Sequence, residues 1–302
     1  MENLAIRLGV IGLSEGNGHP YSWSALINGY DPAAMATCPF PVIPAYLEAA
    51  RANEHPFRGA RVTHVWAQDQ EPAKDIAKAC KIPHICGSYE DMIGQVDGVL
   101  LARDDAENHL SMSAPFLKAG IPVLIDKPLA YDIPTARQIF EVARDPRHVF
   151  SCTGLRYAAE FCWTDELANK IGELRSIDAT APKNWKQYAI HPLEPALCLL
   201  RFPQGEPEVA FTHTDGGGGI LTAHWKCGKS LTLQATGIPV SPISLHLHGT
   251  KGSAFLLFKD TASAFRRLLS AFVDTVRDPS SKEAIPQEHT FACIRLIEKG
   301  LA

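Results

Sequence analysis

The strongest constraint in this sequence is a change of rhythm near residue 150. Before it, short apolar runs alternate with helical patterns; after it, strand-like runs follow one another through turn residues. Alternation of the first kind needs crossover connections and therefore a parallel sheet, whereas strands joined by short turns pair antiparallel. Residues 7–13, 61–67, 84–86, 98–102 and 122–126 read as strands. Residues 22–28, 71–80, 89–93, 105–119 and 133–144 read as helices, two of them with clear apolar stripes: Ala73, Ile76, Ala77 and Cys80 in one, Ala136, Ile139, Phe140 and Ala143 in the other. Repeated units of this kind predict a doubly wound, Rossmann-like sheet.

In the second half, residues 174–181, 209–213, 220–225, 230–236, 243–248 and 254–258 read as consecutive strands. Glycines 216–219, Cys227-Gly228 and Thr250-Lys251-Gly252 supply turns between them. Residues 193–201, 262–277 and 288–299 read as helices covering one face of a large, mainly antiparallel sheet. The expected fold is thus α/β plus α+β, with a dinucleotide-type domain over 1–150 and a second domain over 151–302 that binds substrate and oligomerises. A length of 302 residues suits two domains of about 150 each.

Composition narrows the partner. Hydrophobic residues at 46% and charged residues at 21% describe a folded chain. A net charge of -4 lacks the basic footprint of a nucleic-acid binder, so a small molecule is expected instead. No apolar run approaches the roughly 18 residues of a membrane span, and the first residues lack a basic segment followed by an apolar one. A cytoplasmic protein with no membrane partner is expected. The eight cysteines lie singly, with no C-x-x-C pair, and read as reduced thiols.

Two segments carry chemistry in the first half. Leu8-Gly9-Val10-Ile11-Gly12-Leu13, followed by Ser14-Glu15-Gly16-Asn17-Gly18, has the form of a strand running into a phosphate-binding turn, where amides at a helix N-terminus hold an anion. A strict G-x-G-x-x-G is absent, and so is an acid at the usual distance beyond it; an ordinary strand-to-helix turn reads equally well. In residues 119–130 an apolar strand ends on Asp126-Lys127-Pro128, which sets the lysine at the carboxyl edge of the sheet, where ligands of open α/β folds bind.

With Asp97-Gly98-Val99-Leu100-Leu101-Ala102 and His109 upstream, this resembles the Gfo/Idh/MocA family of NAD(P)-dependent oxidoreductases, whose members carry Glu-Lys-Pro at this point. Asp126 is one methylene shorter. Gly154-Leu155-Arg156-Tyr157, Ile171-Gly172-Glu173-Leu174, His246-Leu247-His248-Gly249-Thr250-Lys251-Gly252 and residues 271–277 are similar, in order, to later segments of the same family.

The resemblance implies an enzyme moving a hydride between NAD or NADP and a hydroxyl or carbonyl of a sugar, polyol or related small molecule. It implies cofactor contacts from Gly12, Leu13, Ser14, Ala102, Asp126, Lys127 and Pro128, and substrate contacts from Lys127, Arg156, Gln187, His191 and Glu194. Lys127 and His191 are the expected catalytic pair, the lysine stabilising charge on the reacting oxygen and the histidine moving its proton. The family often carries Asp-x-x-x-His where this chain has Gln187-Tyr188-Ala189-Ile190-His191. A glutamine can hold a hydroxyl but cannot usefully take its proton. Glu194, one turn beyond His191, reads either as an orienting acid or as a solvent-facing first-turn residue. After the second strand Ala67 stands at the best-aligned ribose position with Asp69 two residues later, and no arginine sits beside it to favour a 2′-phosphate, so NAD and NADP are equally compatible. These departures also admit a catalytically degenerate family member that binds a small molecule in a regulatory role.

Other features have plainer readings. Asp104 and Glu107 fit a capping box. Residues 28–59 read as a surface loop, or as a lid over the glycine turn. His246 and His248 share a strand face, but no third ligand stands at a recognisable spacing, so no metal is expected. The uncovered face of the second sheet is expected to be apolar and to form a homodimer or homotetramer.

Overall fold

The computed structural model describes residues 5–53, 57, 59–278 and 280–301; the first four residues, read above for a leader, lie outside them. The chain divides into two compact units. One comprises residues up to Ala130, Pro134–Cys152 and Phe265–Gln287; the other comprises Tyr131–Ile133, Thr153–Ala264 and the chain from Glu288 onward. Where the sequence pattern suggests a single cut at residue 150, residues Phe265–Gln287 return to the first unit. The reason lies in one amphipathic helix, whose Leu268, Leu269, Phe272 and Val273 are buried, with Phe272 edge-on to Phe150 at 5.7 Å.

The first unit runs β1 (Ile6–Ile11), α1 (His19–Asn28), α2 (Pro32–Met35), α3 (Val42–Ala49), β2 (Ala60–Trp66), α4 (Gln70–Ala79), β3 (His84–Ile85), β4 (Gly98–Leu101), α5 (His109–Ala119), β5 (Val123–Ile125), α6 (Ile133–Val142) and β6 (Val149–Phe150). Its sheet is all parallel in the order β3-β2-β1-β4-β5-β6, the doubly wound arrangement expected. Both faces are covered, so Leu8–Ile11, Val99–Leu101 and Val123–Ile125 are buried without alternation. The segment between α1 and β2 is not a plain surface loop. It forms α2 and α3, buries Met35, Ile43 and Leu47, and sets Phe40 and Ile43 against Gly18, because its apolar residues recur at helical spacing.

The second unit begins with α7 (Asp165–Ile171), β7 (Leu174–Ala181), α8 (Trp185–Tyr188) and α9 (Ile190–Leu199). It continues through β8 (Glu208–Thr214), β9 (Gly218–His224), β10 (Ser230–Ala235), β11 (Ser244–Gly249) and β12 (Ser253–Leu257) to α10 (Thr261–Arg277), which crosses between the units in sequence, and α11 (Gln287–Glu298). The sheet order is β12-β11-β7-β10-β9-β8. All neighbours are antiparallel except β7 and β10, since β7 inserts between β10 and β11. The three expected hairpin turns are present. Inward-facing Ile177, Ala179, Leu221, Leu231, Leu233, Leu245 and Leu247 pack with Leu193, Ala196 and Leu197 of α9. The outward positions carry Ser176, Asp178, Thr180, Thr222, His224, Thr232, Gln234, His246 and His248, so most of this face is polar rather than apolar as expected. Exposed Ala210 and Phe255 and half-buried Ile220 and Leu257 are its apolar members.

Candidate active site

At the carboxyl edge of the first sheet the turns after β1, β4 and β5 are tied together. Ladder bonds continue past the strand ends: Gly12 N donates to Trp66 O, Ala102 N to Ile11 O and Asp126 N to Leu101 O. Gly12 is required by close approach, since a Cβ there would lie 2.4 Å from Cγ of Pro20 in α1. Ser14 Oγ donates to Asp104 Oδ1 at 2.7 Å, and Lys127 Nζ stands 3.5 Å from Asp104 Oδ2. Lys127 is itself only 5% exposed. The predicted Ser14 and Lys127 thus meet through an acid that the sequence pattern assigns to a helix cap. That capping box is not formed: the turn begins at Asp105, which makes no capping bond, and Asp104 is taken by Ser14 and Lys127.

Asp126 is engaged within the fold itself. Its Oδ2 accepts from Asn17 Nδ2 at 2.7 Å and lies 2.6 Å from His19 Nδ1, while Oδ1 accepts from Lys127 N at 2.8 Å. Burial pushes its carboxyl up, but His19, Lys127 and Asn17 outweigh this and hold it well below the usual carboxylate range. Asp126 therefore fastens the residue-12 to residue-19 turn to the lysine turn. His19 is fixed further by stacking on Trp23 at 4.7 Å. His109 is fully buried between Leu129 O and Arg103 O, which pins the segment after Pro128.

Several groups here suit a dinucleotide. Among the described residues, none accepts a hydrogen bond from the amides of Ser14, Glu15 or Gly16, which precede the N-terminus of α1. Leu13 is less available, because its amide already donates to Gln68 Oε1. Asp69 occupies the N-cap position of α4 yet makes no capping bond, so its carboxylate is open to ribose hydroxyls. An arginine does adjoin this end of β2 in space: Arg103 donates to Gln68 Oε1 at 2.9 Å. Its guanidinium also forks onto Asp105 at 2.9 and 2.6 Å.

In the second unit the predicted residues gather around one that no sequence motif singles out, Thr153. Its Oγ1 lies 2.8 Å from His191 Nδ1, and its amide donates to Glu194 Oε2 at 2.7 Å. Glu194 is 3% exposed and takes Arg156 Nη1 at 3.0 Å. It is thus neither solvent-facing nor directly bonded to His191. Burial pushes its carboxyl up against the opposing pull of Arg156 and the Thr153 amide. Arg156 also approaches His289 Nδ1 at 3.3 Å, and His289, stacked on Phe202, is pushed down to about 4 by burial and then by Arg156. Gln187 does not join the group. Its amide donates to Asn184 Oδ1 and its Oε1 accepts from Asn184 Nδ2, a reciprocal cap that starts α8. A cavity of about 940 Å³ in the same unit is lined by Phe202, Trp225, His289 and Arg295, and by none of the predicted site residues.

Residues 45–153 match the Gfo/Idh/MocA model, described as an oxidoreductase family with an NAD-binding Rossmann fold, in agreement with the resemblance and the cofactor class read from the motifs. No curated protein matches the chain in sequence. Among solved structures, the chain is similar to GenD2 from gentamicin A biosynthesis in complex with NAD (16% identity, TM-score 0.74, 98% of this chain and 93% of that one). It is also similar to scyllo-inositol dehydrogenase from Lactobacillus casei (15%, 0.75, 99% and 97%) and to myo-inositol 2-dehydrogenase from Lactobacillus plantarum (14%, 0.73, 98% and 96%). At these identities the likeness is one of fold, over both units. Among the described residues no helix is long and apolar enough to cross a membrane.

Proposed function

We propose that this chain, whose residues 45–153 match an NAD-binding Rossmann oxidoreductase family, is a nicotinamide-dependent dehydrogenase acting on the hydroxyl or carbonyl group of a sugar- or polyol-like small molecule. The observation that carries the reading is the buried Lys127 at the carboxyl edge of the parallel sheet. It is oriented by Asp104 on one side and by the Asp126 anchor on the other. The amides of Ser14 to Gly16 and the Asp69 carboxylate are the groups that would hold the dinucleotide, which supplies the hydride acceptor or donor when bound. Lys127 acts on the substrate. Its Nζ donates to the reacting oxygen and stabilises negative charge there, where low dielectric makes such a donor effective. His191, whose Nδ1 is set against Thr153 Oγ1, is the group proposed to move the proton.

The inositol dehydrogenases among the similar structures support a polyol class. The test is direct. Titration of the purified chain with NADH and NADPH, followed by nicotinamide fluorescence, should give saturable binding below millimolar concentration. A panel of polyols and sugars should then give at least one absorbance change that requires the enzyme. Absence of dinucleotide binding would overturn the proposal in favour of a regulatory binding protein.

A further inference from the structure

We propose a divalent transition-metal site on the outward face of the second sheet, built from Asp178, His246 and His248 and suited to Zn²⁺. On β11 the neighbours Leu245 and Leu247 are fully buried, so period-two geometry turns His246 and His248 outward together, with ring centroids 4.1 Å apart. The register sets His246 directly opposite Asp178 of β7, and His248 lies on the diagonal, within reach of a long side chain. His248 Nε2 is 3.0 Å from Asp178 Oδ2, and one ligating atom from each of the three residues lies within 4.8 Å of the others. Sequence spacing missed the third ligand because it comes from a strand 70 residues away.

The geometry and the donor set point to the same ions. Bonds of about 2.0–2.1 Å at tetrahedral angles put ligand atoms about 3.3 Å apart. The His248–Asp178 pair is already near that separation. Side-chain exposures of 38% and 56% leave both free to rotate to it. Two imidazoles with one carboxylate suit Zn²⁺, Co²⁺, Ni²⁺ and Cu²⁺, and suit Mg²⁺ or Ca²⁺ poorly. A simple ion pair accounts for Asp178 and His248 but not for His246, which makes no hydrogen bond among the described residues and stands beside a second imidazole. An ion bound by all three clamps β7 to β11 on the face opposite α9, with a fourth position open to water. Its expected effect is on the stability of this sheet, so the site is independent of the dehydrogenase reading.

Equilibrium dialysis of the full chain against ZnCl₂ should give one Zn²⁺ per chain at micromolar concentration. Binding should weaken by about 100-fold in the His246→Ala/His248→Ala variant and by roughly tenfold in Asp178→Asn. Co²⁺ should give visible absorption without the near-ultraviolet band of a thiolate ligand, which separates this site from the exposed Cys162 and Cys227. In the unaltered chain Zn²⁺ should shift the ring-proton resonances of two histidines, a readout that needs no variant to fold. Failure to retain Zn²⁺, equal binding by the double histidine variant, or a thiolate band with unmoved histidine signals would each overturn the proposal.

Discussion

Thr153 Oγ1 lies 2.8 Å from Nδ1 of His191, while the amide of the same threonine is held by the buried carboxylate of Glu194 at 2.7 Å. Thr153 thereby couples an anionic anchor to the proposed proton-moving ring without direct contact between Glu194 and His191. Thr153→Val keeps the shape and removes the hydroxyl. It should lower kcat about tenfold and displace the pH–rate profile, while costing only about 1 kcal/mol in urea unfolding. A variant with unchanged kcat and pH profile would leave Thr153 a structural role alone, its Oγ1 accepting from Leu155 N at 3.3 Å.

Lys127→Ala removes the amine brought to the Asp104 and Asp126 turns at the sheet edge. Turnover should fall by about 10²-fold or more, the usual cost of a lost oxyanion donor, with the NADH dissociation constant changed less than about threefold. Retained wild-type turnover in steady-state assays would remove Lys127 from the mechanism.

Cofactor preference follows from how the charges after β2 and β4 are spent. The Arg103 guanidinium is already forked onto Asp105, and the Asp69 carboxylate would repel a 2′-phosphate. NADH should bind about tenfold more tightly than NADPH, the equivalent of about 1.4 kcal/mol. Fluorescence titrations giving equal or reversed affinities would rule this out.

Asp126→Ala should cost about 3 kcal/mol, because it strands His19 and Asn17 against an emptied buried position. The loss should appear as a lower urea midpoint with an unchanged m-value. A midpoint like that of the wild type would show the anchor to be dispensable.

His289 gives a pH signature. Its folded value of about 4 lies below the ordinary histidine value of about 6.5, so between these limits the unfolded chain binds more protons than the folded one. Stability should therefore rise as pH increases from 4 to 6.5 and level off above. His289→Gln, which keeps a neutral acceptor for Arg156, should flatten that part of the profile measured by thermal unfolding; an unflattened slope would assign it elsewhere.

The parallel sheet, the three hairpins and the lysine at the sheet edge were legible because each rests on local pattern: apolar runs, turn glycines, and one motif at the end of β5. What escaped the sequence depends on long separations. Asn17 and His19 meet Asp126 across more than 100 positions, and Thr153 meets Glu194 across 41, so no spacing rule connects them. Gln187 pairs with Asn184 only three residues away, a local cap that comparison with a family motif does not reveal.

The return of Phe265–Gln287 to the first unit sets an order of events during synthesis. The Rossmann-like sheet lacks Phe272 beside Phe150 until the chain has grown far beyond β6. A nascent chain ending near residue 152 exposes that aromatic surface, whereas the strands of the second unit emerge in the interval. The unit encoded first is therefore completed late, and a fragment cut at the apparent domain boundary should need a chaperone or a supplied helix to remain in solution.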